Sequence, residues 1–160
     1  MQYGFTYTQY DNVSELDAKF ARLIQFAKEA SEKAYAPYSS FYVGAAILGD
    51  DQSIVTGNNQ ENASYPVGTC AERVALNYYQ SQHRGSSIEA IAIYAHSNEF
   101  EMNKPVSPCG MCRQALLEAE KNQSSFIRLF LSSRSGKVFE IQSVSDLLPL
   151  AFGPGDLKML

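Results

Sequence analysis

The chain of 160 residues is long enough for one compact domain that needs no disulfides, because a domain of this size buries about two-thirds of the surface exposed by its unfolded chain. Its 45% hydrophobic and 19% charged residues are typical of a globular protein and exclude a disordered chain. The net charge of -4, without any cluster of Lys and Arg, makes polymeric nucleic acid a poor partner.

Apolar runs and the N-terminus bear on cellular location. Runs such as residues 43–48 are far shorter than the roughly 20 apolar residues that span a bilayer, so no membrane partner is predicted. The N-terminus lacks both the basic start and the apolar core of a secretory signal. We therefore expect a cytoplasmic protein, in which three cysteines, an odd number, favour metal or thiol chemistry over disulfides.

The first predicted elements are a short strand or arm and a long helix. Aromatic residues alternate over residues 3–7, which favours a strand or an arm that lies on another surface. Ser14 followed by Asp17 resembles a pair that caps the start of a helix, and this helix should end before Pro37. Its apolar residues at helical spacing are Leu16, Phe20, Leu23, Ile24, Ala27 and Ala34.

Strands and helices alternate through the rest of the chain. The predicted strands are residues 42–48, 53–56, 88–95, 126–131 and 138–141, the first two joined as a hairpin. One helix runs from about Cys70 to Gln80 with Thr69 as its cap, and another from its cap, Ser107, to about Lys121. This order predicts an α/β fold, a three-layer α-β-α sandwich with a mixed central sheet of about five strands, as a single domain over residues 1–160.

The cysteines carry the first chemical signal. Cys109 and Cys112 lie three positions apart at a predicted helix start, so their sulfurs can point the same way. Alone, this pair could equally be a redox pair or two small core residues. Cys70 begins another predicted helix, so three thiolates could converge, and the partial positive charge at helix N-termini favours deprotonated thiols. Zinc is the natural occupant of such a site.

The number of ligands distinguishes a structural metal site from a catalytic one. His83 and His96 lie away from the cysteine motifs, so only three strong ligands are available. Structural zinc sites close with four protein ligands, whereas an open position lets the metal lower the pKa of a water molecule and make it a nucleophile. Three ligands therefore favour catalysis.

Two residues that follow Cys70, namely Glu72 and Arg73, have side chains suited to a hydrolytic deamination. Glu72 could take a proton from water, protonate a ring nitrogen and later protonate departing ammonia, although the same glutamate could simply close a capping box with Thr69. Arg73 could hydrogen-bond a sulfur and offset the net negative charge of zinc with three thiolates, although most helix arginines are only exposed.

The paired signature C-x-E and P-C-x-x-C is that of zinc nucleobase deaminases, with Cys in place of His. Beyond this signature, the chain resembles the small, homotetrameric cytidine deaminases from Ala36 to Leu157. The matching stretches are Ala36 to Phe41, Val43 to Ala46, Gly57 to Pro66, Cys70 to Arg73, Ser107 to Gln114 and Leu147 to Phe152.

The resemblance implies the zinc site and a substrate pocket. It assigns the three cysteines as zinc ligands, Glu72 as the acid and base, and Phe41 as the residue that packs on the pyrimidine face. It implies that Asn59 and Glu61 bind a ribose hydroxyl, which would reject analogues that lack this group. From composition alone, the two polar residues would be a solvated loop and Phe41 a core aromatic.

The same resemblance implies shared active sites in a homotetramer. The backbones of Cys70 and Ala71 would contact the base and the zinc-bound water, while Tyr65 and Phe152 would complete the pocket from a neighbouring subunit. The chain departs from the shortest family members in an N-terminal extension over residues 1–13, a long interval before Cys109, and the Gly-Pro-Gly of residues 153–155. These departures affect the assembly and the outer pocket more than the chemistry.

The sequence therefore predicts a zinc-dependent cytidine deaminase that hydrolyses cytidine and deoxycytidine to uridine and deoxyuridine with ammonia release, a reaction of pyrimidine salvage, and needs no organic cofactor. A related deaminase of another amino-substituted nucleoside, such as an aminonucleoside antibiotic, is the first alternative. A noncatalytic zinc-stabilised binding module, in which Glu72 only caps its helix, is the second.

Overall fold

The computed structural model describes residues 4–158, and within them a mixed sheet of six strands lies between layers of α-helix. The predicted α/β sandwich is confirmed. The α-helices are α1 (Ala18–Ser31), α2 (Ala71–Gln82) and α3 (Gly110–Lys121). The strands are β1 (Thr8–Tyr10), β2 (Phe41–Gly49), β3 (Ile54–Asn58), β4 (Ile88–Ser97), β5 (Arg128–Ser133) and β6 (Val138–Ile141). No helix within the described range is long and apolar enough to cross a bilayer.

The strand order across the sheet is β1-β6-β5-β4-β2-β3. Strands β4 and β5 are parallel because α3 forms the crossover between them, and every other neighbouring pair is antiparallel. This arrangement places the end of β4 beside the start of β2, with Phe41 opposite Ser97.

Side chains that alternate along the central strands form two cores. Ala45 and Ile47 of β2 pack under α2 and α3, whereas Ala46 and Leu48 pack under α1. Both helical layers approach the sheet closely at a glycine: a Cβ at Gly44 would lie 1.9 Å from the backbone oxygen of Ala27, and one at Gly57 would lie 2.5 Å from the nitrogen of Ala75. Gly57 thereby fixes where α2 begins above the sheet.

The sheet has six strands where about five were predicted, because the N-terminal extension contributes β1. Strand β1 pairs antiparallel with β6, and Tyr7, just before it, packs its ring on Phe139 at a centroid distance of 4.9 Å. The predicted aromatic alternation therefore lies mostly before the strand, and residues 1–3 lie outside the described range. Three-residue strands carry too few positions for period-two alternation to locate.

The predicted helix caps were also displaced. Asp17, rather than Ser14, is the N-cap of α1, and Ser14 lies in a short 3₁₀ helix capped by Asn12. Helices α2 and α3 have Cys70 and Cys109 as N-caps instead of Thr69 and Ser107. Neither cysteine caps its helix with a side-chain hydrogen bond, which leaves both sulfurs free to face each other.

Candidate active site

Three thiols meet where the N-termini of α2 and α3 converge. The sulfurs of Cys70, Cys109 and Cys112 all lie within 4.8 Å of one another, and those of Cys70 and Cys109 are 3.8 Å apart. Two thiolates on one tetrahedral zinc, each at about 2.3 Å, would stand about 3.8 Å apart. The donor set and its spacing therefore fit the zinc ion that the sequence predicted.

The electrostatics of the cluster also suit a cation. Hydrogen bonds from Cys112 and Cys109, with the charge of Arg73, outweigh burial and lower the pKa of Cys70 to about 5. The hydrogen bond to Cys70, burial and the negative charge of Glu72 raise the pKa of Cys112. The thiolate of Cys70 thus accepts hydrogen bonds from the neighbouring thiols. A divalent cation that replaces their protons would let all three cysteines bind it as thiolates.

Arg73 lies beside this cluster, and one of its N–H donors has no hydrogen-bond acceptor. Its Nη2 donates to the backbone oxygen of Gly68 at 3.4 Å, while its Nε is buried without a hydrogen-bond partner. A buried guanidinium nitrogen without an acceptor is costly, and a thiolate sulfur is the acceptor that the cluster offers. This geometry agrees with the predicted role of Arg73 in neutralising the ligand charge, which stays a prediction.

Glu72 is buried, with 6% of its surface exposed, and it lines a cavity together with Cys70 and Cys109. Burial raises the pKa of its carboxyl group. The capping-box alternative is wrong in register, because Cys70 is the N-cap and Glu72 therefore occupies the second helical position rather than the third. Hydrogen bonds from its own backbone and from Cys112 lower the pKa of Glu72 but do not outweigh burial, and Glu72 lines the cavity.

The cavity has a volume of about 430 Å³ and gathers most of the predicted site residues. Phe41, Asn59, Glu61 and Ala71 line it together with Cys70, Glu72 and Cys109. Sequence reasoning missed the apolar wall, whose residues are Val43, Ile93, Ala95 and Val106. Those residues are indistinguishable from ordinary core in the sequence, since only the packing of β2, β4 and the loop before α3 brings them to the cavity.

Tyr65 and Phe152 lie apart from this cavity. Tyr65 lines an adjoining cleft, which shares Ser39 and Glu61 with the cavity, and 76% of its surface is exposed. Phe152 is 59% exposed and lines neither space among the residues described, although its backbone oxygen accepts a hydrogen bond from Gln114 at 3.0 Å. Neither ring completes the pocket of its own protomer, so their predicted roles depend on a second copy of the chain.

The loop that carries Asn59 and Glu61 is closed by its backbone. Gln60 and Thr69 exchange two backbone hydrogen bonds of 2.9 Å, which brings the start of this loop next to Cys70. The side chain of Asn59 accepts from the nitrogen of Val43 at 2.8 Å and donates to the oxygen of Phe41 at 2.9 Å. Asn59 therefore extends the sheet beyond the end of β3 and keeps one donor and one acceptor position for a ligand.

The carboxylate of Glu61 is held by Tyr38 and Ser39, the latter also a residue of the cavity wall. It accepts hydrogen bonds from the backbone nitrogen and hydroxyl of Ser39 and from the nitrogen of Tyr38, the last at 2.9 Å. Burial raises the pKa of Glu61, but these hydrogen bonds outweigh it and leave the pKa below its ordinary value. The group is thus a fixed carboxylate, able to accept a hydroxyl donor from a ligand.

Comparisons with known proteins agree with this chemistry. Residues 18–127 match the family described as "Cytidine and deoxycytidylate deaminase zinc-binding region". The cytidine deaminase of Halalkalibacterium halodurans is 43% identical over 136 residues, which cover 85% of this chain and 96% of that protein. That of Mycobacterium tuberculosis is 37% identical over 131 residues, covering 82% and 87%.

Solved structures of similar proteins share the fold. The crystal structure of cytidine deaminase from Burkholderia pseudomallei superposes with a TM-score of 0.71 at 42% identity, over 82% of this chain and 97% of that one. The cytidine deaminase of Mycobacterium tuberculosis gives a TM-score of 0.65 at 34% identity, over 86% and 99%.

Proposed function

Since the chain belongs to the zinc-dependent cytidine deaminases, we propose that it hydrolyses cytidine and deoxycytidine to uridine and deoxyuridine and releases ammonia. The observation that carries this proposal is the cavity that Glu72 lines together with two members of the three-thiol cluster, Cys70 and Cys109. The remaining walls are suited to a nucleoside: the aromatic ring of Phe41 for the base, and the polar groups of Asn59 and Glu61 for the sugar.

The chain's own residues would divide the work of the reaction. Zinc held by the three thiolates would supply an activated water molecule. Glu72 would accept a proton from that water, donate one to the ring nitrogen beside the amino-bearing carbon, and then protonate the departing amine. Phe41 would fix the plane of the ring, while Asn59 and Glu61 would fix the sugar, so that the reacting carbon stays in place.

The charge of the cavity favours a nucleoside over a nucleotide. None of the described residues that line it is Lys or Arg, whereas two of them, Glu61 and Glu72, are acidic. A phosphate group would meet two acidic side chains and no cationic partner, which costs free energy in a partly enclosed site. We therefore propose that cytidine and deoxycytidine, and not deoxycytidylate, are the substrates.

The two alternatives, a related deaminase and a noncatalytic zinc module, make different predictions about the site. A deaminase of another amino-substituted nucleoside would use the same thiols and Glu72 but need not contact a ribose through Asn59 and Glu61. A noncatalytic zinc module would need a fourth protein ligand, and the cluster of candidate ligands found within residues 4–158 consists of the three cysteines alone. The geometry therefore favours the enzyme.

The test is ammonia release by purified, zinc-loaded protein from cytidine, deoxycytidine and deoxycytidylate in parallel. Turnover of both nucleosides, with deoxycytidylate at least about tenfold slower in kcat/KM, is the expected result. Zinc-loaded protein that leaves both nucleosides unchanged would overturn the proposal, and preferred turnover of deoxycytidylate would overturn its nucleoside specificity.

We also propose that the chain forms a homotetramer with shared active sites. The exposed Tyr65 and Val67, with the exposed Tyr38 in the same cleft as Tyr65, give the surface beside the cavity an aromatic and aliphatic character typical of interface cores, and Phe152 is a further exposed aromatic residue. Tyr38 and Tyr65 approach each other at a centroid distance of 6.2 Å and could pack as one unit against a neighbour.

Light scattering measures the oligomeric state of the protein. Oligomers mixed from two variants test whether neighbouring subunits share their active sites. The Phe152→Ala variant should have a raised KM and the Glu72→Ala variant no turnover. If Phe152 serves a neighbouring site, oligomers refolded from a mixture should regain a fraction of turnover with the wild-type KM. Mixtures that show only the raised KM would mean that each subunit completes its own pocket.

A cytoplasmic location is proposed on the chemistry of the cysteines. All three are free thiols in the structure, and the proposed zinc site needs them reduced, as they are in reducing compartments. Fractionation of the source cells with an antibody against the protein would test this, and recovery from an oxidising compartment would contradict it.

A further inference from the structure

The segment between β4 and α3, residues 98–106, passes beside the substrate cavity. It is fastened at its start by Arg134, whose Nη1 donates to the oxygen of Ser97 and whose Nη2 donates to the side chain of Asn98, both at 2.9 Å. It is fastened at its end by the buried Pro105. The next residue, Val106, lines the cavity. The segment is thus held at both ends, and a residue between them places its side chain against the ring of Phe41 beside the cavity.

That side chain is Phe100. Its ring is nearly parallel to the ring of Phe41, with an interplanar angle of 13° and a centroid distance of 6.3 Å. Phe41 lines the substrate cavity, whereas Phe100 does not line it and lines the neighbouring groove instead. Phe100 therefore contacts the ring that would meet the base without reaching the base itself.

The main chain of Phe41 is fixed, but its ring needs a further contact. The Phe41 nitrogen donates to the hydroxyl of Ser39 at 3.1 Å, and the Phe41 oxygen accepts from Asn59 at 2.9 Å. Strand β3 pairs with β2 only from Gly44 onward, so no neighbouring strand covers Phe41 on that side. The aromatic neighbour that the structure gives this ring is Phe100, and aromatic pairs at such distances hold one another in place.

We propose that Phe100 is a positioning residue for the deamination, which holds the Phe41 ring parallel to the pyrimidine and so sets the affinity for the nucleoside. This inference rests on the proposed function for its kinetic consequence. The pyrimidine would stack on Phe41 in both the ground state and the transition state. Loss of Phe100 should therefore weaken binding equally in both states and act on KM rather than on kcat.

The kinetic test compares Phe100→Ala with wild type on cytidine. We expect KM to rise about 3- to 10-fold, the range of one aromatic pair, with kcat changed less than about twofold. Phe100→Tyr should restore the wild-type KM because it keeps the ring, and Phe100→Leu should not. Phe126→Ala, at a phenylalanine that is 74% exposed and outside the cavity, is the matched control and should leave both constants unchanged.

Two further variants separate positioning from loss of folding. Arg134→Ala removes both hydrogen bonds at the start of the segment without touching either ring, and should raise KM in the same direction. In a double variant with Phe41→Ala, the Phe100→Ala substitution should add less to KM than it does alone, because its effect passes through Phe41. Equal, additive effects of the two substitutions would overturn the proposal, as would an unchanged KM in Phe100→Ala.

An NMR measurement that needs no substrate turnover tests the contact between the two rings independently of the kinetics. In protein with 13C-labelled phenylalanine, cross-relaxation between the Phe41 and Phe100 rings should appear in wild type and disappear in Phe100→Leu. If wild type shows this signal but deaminates neither nucleoside, the proposed function fails while the ordering of Phe41 stands. If wild type deaminates cytidine and the signal is absent, the inference about Phe100 fails alone.

Discussion

The sulfurs of Cys70 and Cys109 lie 3.8 Å apart although 39 positions separate these residues in the chain. Each is the N-cap of its own helix, so the N-termini of α2 and α3 lie next to each other. The third sulfur, that of Cys112, belongs to a fully buried residue one turn into α3. The thiol cluster therefore ties α2 to α3 on the face of the sheet that carries the cavity.

Replacing a single cysteine should remove zinc, but with different costs to folding. Cys109→Ser, at the exposed position, should lose zinc and turnover, with the apoprotein close to wild-type apoprotein in stability. Cys112→Ser should also lower the free energy of unfolding of the apoprotein by about 1–3 kcal/mol, because it places a hydroxyl in a fully buried site. Elemental analysis and denaturant unfolding would check this, and full zinc retention in either variant would contradict the ligand assignment.

Glu72→Ala should abolish turnover while zinc and fold are kept. General acid–base catalysis by one positioned group contributes about 10²- to 10⁴-fold, so kcat should fall by at least that factor. Glu72→Gln keeps the size of the side chain and should be as inactive, because an amide cannot carry the proton. Ammonia release measured with the zinc content separates this outcome from metal loss. A Glu72→Ala variant that is fully active would exclude the acid and base role.

Asn59→Ala should affect stability and substrate binding together. It removes two hydrogen bonds to the main chain of Phe41 and Val43, worth about 0.5–1.5 kcal/mol each in unfolding free energy. Because those bonds hold the start of β2 at the cavity, KM for cytidine should also rise. Asn59→Asp keeps the acceptor for Val43 but places a carboxylate against the oxygen of Phe41, so it should be no better than Asn59→Ala. Denaturant unfolding and steady-state kinetics on the same preparations test both effects.

Glu140 should make the protein less stable in acid. Burial raises the pKa of Glu140, but hydrogen bonds from Arg128, at 2.5 Å, and from Tyr10, at 2.7 Å, outweigh it and hold the pKa below the ordinary 4.5. The unfolded chain then binds a proton before the folded protein does. This contribution to stability is therefore present above pH 4.5 and is lost as the pH falls through the lower pKa of the folded state.

The measurement is the free energy of unfolding between pH 6 and pH 3, in wild type and in Glu140→Gln. Wild type should lose more stability over this range than the variant, which has no carboxyl group to titrate at this position. Tyr10→Phe removes one of the hydrogen bonds to the Glu140 carboxylate, so its loss of stability should fall between those of wild type and Glu140→Gln. Parallel curves for wild type and Glu140→Gln would show that the group titrates alike in both states.

The elements and the metal chemistry were accessible from the sequence because they depend on local patterns. Helix α1 follows from apolar residues at helical spacing, four of which, Phe20, Leu23, Ile24 and Ala27, are buried. The cysteines and Glu72 occur in two short motifs, and each motif is contained within a single helix start. Spacing within one turn of helix determines which side chains share a face, so each motif could be recognised without the fold, whereas only the fold brings Cys70 next to Cys109.

Contacts between distant parts of the chain were decided only by the tertiary structure. The sixth strand exists because β6 offers a free edge to β1, and the true N-caps follow from how α2 and α3 meet. The absence of Lys and Arg from the described lining of the cavity, and the pairing of Phe100 with Phe41, likewise join segments that are far apart in sequence. Periodicity reports which face of an element is buried, but not which other element covers that face, and this partner is fixed only when the whole sheet and its helices pack together.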